Sequence, residues 1–147
     1  MTQENKILLA KAIGESLYSG IICTDSVHGD SIIKDFEWDA ATCEGLAYCF
    51  DFDEYVRIND VKLYLRPMSS MTEKEKKEIK ALGAEFSSIG SIRFRIKEDE
   101  NDGFEYGYKW IDIRDFLVTH HFDYRDLIPM GLALPARKGM YKKPRNK

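Results

Sequence analysis

The run VKLYLRPMSSMTEKEKKEIKALG, residues 61–83, constrains the fold more than any other stretch. Its first half reads as a last short strand or tight turn that ends at Pro67, which lacks a backbone donor and fixes φ. Its second half begins a helix. Thr72 followed by Glu75 is a capping box, with Ser70 and Glu73 an alternative register, and Gly83 is a natural stop. Acids lead and lysines follow, as the helix dipole favours. Only Ile79 and Leu82 form an apolar face, so this helix belongs on the surface.

Around that boundary the pattern is α+β. Leu9, Ile13 and Leu17 recur at four-residue spacing, widened by Leu8, Ala10 and Ala12, which predicts an N-terminal helix stopped near Gly20. IICTD, IIKDFEW and LAYCFDFDEYVRI predict short strands separated by polar turns, with a last short strand or tight turn up to Pro67. In the second, Ile33, Asp35 and Glu37 fall on one side and Ile32, Lys34, Phe36 and Trp38 on the other. Alternation in 92–97 and in 104–110, joined by a loop ending in Asp-Gly, predicts a β-hairpin. Ile113, Phe116, Leu117 and His120 then predict a helix capped by Asp112, and Asp123 caps a short turn beyond it. The expected fold is one α+β domain over residues 1–136. It comprises an N-terminal helix, a small twisted antiparallel sheet or partial barrel, a surface helix, a C-terminal β-hairpin and short helices.

At 147 residues, with 44% hydrophobic and 32% charged residues, the chain can bury one ordinary core. No apolar run reaches the ~18–20 residues of a membrane span, and the N-terminus has no signal-peptide pattern. Three scattered cysteines form no disulfide framework, so a cytoplasmic location is expected. The last segment, 137–147, carries six cations and no acid, and is expected to be a flexible tail. Without it the chain keeps 16 basic against 25 acidic residues, a net charge of about −9. An acidic body does not offer the broad basic face of a duplex-binding domain.

The most reactive-looking stretch is THHFDYRDLIPMG, where His120, His121, Asp123, Tyr124 and Arg125 crowd together. As chemistry, it would be a hydrolase or nuclease site built on His121, Asp123 and Tyr124. As structure, it ends one helix and starts another turn, with Arg125 paired to Asp123 or Asp126 and His121 at a fraying end. The structural reading is preferred, because adjacent histidines do not share one metal from a helix. Cys23, His28, Cys43 and Cys49 lack paired-ligand spacing, so neither metal nor cofactor is expected. GxGxxG, GxSxG and the phosphate-binding Gly-Lys-Ser/Thr loop are absent from the sequence. A nucleic-acid alternative would use Arg93 and Arg95 beside an aromatic strand, with Lys142, Lys143 and Arg145 on phosphate.

VKLYLRPMSSMTEKEKKE (61–78) and HHFDYRDLIPMGLAL (120–134) together resemble a group of small uncharacterised proteins encoded by prophages and other mobile elements of gut anaerobic bacteria. The resemblance is close over about a quarter of the chain. Asp126 stands where the group commonly has glycine, Pro129-Met130 replaces a charged pair, and Trp110 lies earlier than the usual helix tryptophan. What it implies is a setting and not an activity. Joined to the absence of a catalytic constellation, that setting leads to the expectation of an accessory protein without catalysis that binds another protein. Arg66, His121, Asp123, Tyr124 and Arg125 are the candidate binding residues, with no catalytic residue assigned.

Overall fold

The computed structural model describes residues 1–86, 94–96 and 103–141, with side chains for 1–84 and 110–141. Helix α1, Gln3–Ser16, starts at Thr2, whose hydroxyl accepts the Asn5 N–H at 3.1 Å. It buries Leu9, Ala12 and Ile13 against the sheet. Four strands follow: β1 Ile22–Asp25, β2 Gly29–Asp39, β3 Glu44–Cys49 and β4 Glu54–Arg57. The next is β5, Lys62–Leu65, which ends before Pro67 as expected. Helix α2, Glu73–Ala81, has both arms of the Thr72–Glu75 capping box and buries Ile79. Then come β6, Ala84–Phe86, β7, Phe94–Ile96, helix α3, Gly103–Thr119, and β8, Ala133–Pro135.

Six strands form one open sheet in the order β4-β3-β2-β1-β5-β8. All its pairings are antiparallel except β5 with β8, so the sheet is mixed where an antiparallel one was expected. It is not a closed barrel. The main core lies between α1 and one sheet face, around Leu9, Ile13, Ile33, Ile58 and Leu63. A second cluster joins α2 and α3 through Ile79, Ile113, Phe116, Leu117 and Phe122.

Two sequence expectations fail for identifiable reasons. Strand β2 changes face partway along: Ile33 pairs with Cys49 but Asp35 pairs with Tyr48, a bulge at Lys34. Ile33, Phe36 and Trp38 therefore pack with the core, while Asp35 and Glu37 turn outwards. A strict two-residue alternation cannot register that extra residue. The bulge also brings Phe36 and Trp38 over Gly45, where an added Cβ would lie 2.8 Å from Phe36 Cζ.

The second failure is the hairpin. Residues 104–110 lie in α3, and β7 pairs instead with β6. Asp112 is interior to α3 and caps nothing. Counting back from Leu117 by helical steps gives Ile113, Trp110 and Tyr106, so two of the four alternating aromatics also fall on a helical face. The continuous helix keeps the second cluster in register through Ile113 and Leu117.

Candidate functional site

The candidate residues gather where β5, α2 and α3 meet, and Arg66 is the hinge of the arrangement. Its N–H donates to the His121 carbonyl at 2.7 Å, and its carbonyl accepts from Asp123 N at 2.9 Å. That parallel bridge carries the chain one step beyond β5. The guanidinium lies 4.2 Å from the Phe122 ring centroid and donates two 2.7 Å bonds to Glu75. Glu75 also accepts the Thr72 N–H at 3.0 Å, so one carboxylate serves the ion pair and the helix cap. The Arg66 hydrogen bonds hold its pKa at about 2.

At the end of α3, His120 stacks on Phe116 at 4.1 Å, and its Nδ1 lies 2.8 Å from the Phe116 carbonyl. His121 has φ +62°, which directs the chain out of the helix. It is buried where a fraying end was expected, with its ring 3.7 Å from that of Tyr141. Burial, with the charges of His120 and Arg66, lowers its pKa to about 4, so the imidazole is neutral at pH 7.

Asp123 is buried and caps the following turn as expected, accepting from Leu127 N at 2.8 Å and Ile128 N at 2.9 Å. Burial still raises its pKa against those bonds. Tyr124 donates to Glu15 at 2.5 Å, and Arg125 Nε donates to the same carboxylate at 2.8 Å. This corrects the expected partners Asp123 and Asp126. Glu15 comes from α1, more than a hundred residues away in sequence, and no local spacing marks it.

The structure thus brings Arg66, His121, Asp123, Tyr124 and Arg125 together, and nearly every polar group among them is engaged. His121 Nδ1 is the exception: buried and without a hydrogen-bond partner. The cavity among these residues measures about 20 Å³. That is room for one water and not for a substrate. A hydrolytic role for His121, Asp123 and Tyr124 would need a free base beside a nucleophile. Instead, both Asp123 oxygens face backbone N–H groups and the Tyr124 hydroxyl faces Glu15.

The four residues weighed as a zinc site separate. Cys23 and Cys49 meet at 3.7 Å between sulfurs inside the core, and burial raises both thiol pKa values. Cys43 packs against Gln3 and Ala40. His28 lies between Asp25 and Glu54 at 2.9 and 3.0 Å. Among the described residues no three His, Cys, Asp or Glu side chains are placed to hold a metal ion.

Of the nucleic-acid candidates, Arg93, Lys142, Lys143 and Arg145 lie outside the described residues, and Arg95 is described only as backbone in β7. The segment expected to be loose from residue 137 is docked up to Tyr141. Arg137 donates to Asp30 at 2.6 Å and to the Tyr64 hydroxyl at 3.1 Å. The Tyr141 hydroxyl accepts from Ile22 N at 2.8 Å and donates to the Tyr64 carbonyl at 2.7 Å. Arg66, Ser70, Arg137, Lys138 and Tyr141 line a groove of about 500 Å³.

A different surface is open. The β2–β3–β4 register puts Asp35, Glu37, Leu46, Tyr48, Tyr55 and Arg57 on the sheet face opposite the core. Leu46 is 36% and Tyr55 47% exposed. The Tyr48 and Tyr55 rings lie 5.2 Å apart, and their hydroxyls are held by Asp53 and Asp35. Beside them Glu37, Trp38, Asp39, Glu44, Leu46 and Arg57 line a groove of about 630 Å³. Sequence reading missed this surface because the bulge that creates it is invisible to alternation. Among the described residues no helix is long and apolar enough to cross a membrane. No protein-family model, curated protein or solved structure matches the chain.

Proposed function

We propose that this is a non-enzymatic, protein-binding accessory protein of a prophage or mobile element. The observation that carries the reading is the open outer face of β2–β4, where Leu46 and Tyr55 stay in solvent although the same strands bury Ala47 and Val56 on the other side. Exposed apolar and aromatic side chains grouped on a rigid sheet suit recognition of another protein. The His120–Arg125 cluster supports it from the other direction, since its polar groups are spent on joining α1, β5, α2 and α3. The mobile-element setting rests on the sequence resemblance alone.

The test is affinity capture with the protein and with a Leu46→Lys/Tyr55→Lys variant, followed by mass spectrometry. A protein retained by the first and lost by the second is the expected result. Capture independent of that face would contradict the proposal.

A second reading, nucleic-acid binding, draws on the groove of Arg66, Arg137 and Lys138 that leads into the basic C-terminus. It is weaker, because Arg66 and Arg137 are already paired with Glu75 and Asp30. Fluorescence anisotropy with DNA and RNA at several salt concentrations separates the two, since phosphate contacts weaken steeply with salt.

A further inference from the structure

Resting on the protein-binding reading, we infer that the outer face of β2–β4 accepts a lysine- or arginine-bearing segment of its partner, laid over Leu46 and the tyrosine pair towards the carboxylates of β2. Two features of the face converge on that occupant.

The first is charge. Asp35 and Glu37 lie on the face, and Asp39 and Glu44 join Glu37 in lining the adjoining groove, against the single lining cation Arg57. Lys6 neutralises part of Glu44 at 3.0 Å, while Glu37 and Asp39 remain exposed. Complementary potential selects a cationic partner and disfavours an acidic one.

The second is the apolar ground between the carboxylates. Leu46 and the Tyr48–Tyr55 pair form a strip against which the methylene stems of lysine and arginine can lie, with the charged heads reaching the acids. Tyrosine rings add an attraction for the cation itself.

The experiment uses the whole protein and two labelled peptides, Lys-Leu-Arg-Leu-Lys-Leu-Arg and its counterpart with glutamate at every cationic position. Fluorescence anisotropy at low and physiological salt reads the affinity. The basic peptide should bind, weaken with salt and outcompete the acidic one. Glu37→Lys should weaken it by about tenfold or more, and Arg57→Glu should tighten it. The tightening cannot arise from misfolding. Equal affinity for both peptides, no binding, or indifference to both substitutions would overturn the inference. Sedimentation covers the other occupant: a self-association abolished by Glu37→Lys would assign the face to a second copy and overturn it too. Failure here with face-dependent capture intact removes the cationic segment and leaves protein binding standing. Face-independent capture removes protein binding at this surface altogether.

Discussion

Arg66 and Glu75 meet through two parallel 2.7 Å bonds, and that carboxylate also closes the cap of α2. Neutralising Glu75 therefore weakens an ion pair and a helix start at once. Its pKa falls from 4.5 to about 2 on folding, so its contribution is complete above about pH 4.5 and is lost as pH falls through 2. Glu75→Gln should lower stability at neutral pH by roughly 2–3 kcal/mol and flatten the acid side of the stability profile. Urea unfolding at pH 7, 4 and 2.5 checks both.

His121 titrates in the opposite sense. Folding lowers its pKa from 6.5 to about 4, because the charged ring would be buried beside Arg66 and His120. Between those values the unfolded chain holds a proton that the folded chain does not, so stability declines as pH drops from 6.5 towards 4. NMR titration should place His121 near pH 4 and His28, paired with Asp25 and Glu54, above 6.5. A His121 midpoint near 6.5 would mean the ring is not buried against Tyr141.

Tyr141 anchors the C-terminal segment to β1 and β5 through one hydroxyl. Tyr141→Phe keeps the stack on His121 but leaves the Ile22 N–H and Tyr64 carbonyl without that partner. A loss of about 1–2 kcal/mol is expected in denaturant unfolding.

Gly45 is required by contact, because Phe36 and Trp38 occupy the space a side chain would need. Gly45→Ala should cost about 1–3 kcal/mol, and the two tryptophans, Trp38 and Trp110, make fluorescence a convenient probe of the unfolding.

What the sequence made legible was local. Thr72, Glu75 and Pro67 write their roles in a few residues, and the structure has each one. The apolar face of α1 follows from periodicity in the same way, and the strands between Ile22 and Leu65 are visible as short apolar runs between polar turns. What it hid was non-local or double-valued. Glu15 lies too far from Tyr124 and Arg125 for spacing to link them. Tyr106 and Trp110 fit two periods at once, and the packing of Ile113 and Leu117 decides for the helix. The bulge at Lys34 shifts a face by one residue, and that shift creates the candidate binding surface.

In the proposed function the His120–Arg125 cluster builds the molecule, and recognition is left to the sheet face. Asp123 tests it most directly, since its two oxygens serve the N–H groups of Leu127 and Ile128 inside the fold. Groups kept for chemistry or binding commonly cost stability, so their removal is neutral or stabilising. A structural cap behaves oppositely, because buried donors are left without acceptors. The measurement is the urea unfolding free energy of Asp123→Ala against the parent protein at pH 7. A loss of about 2–4 kcal/mol is the expected result, and an unchanged or raised stability would contradict the account.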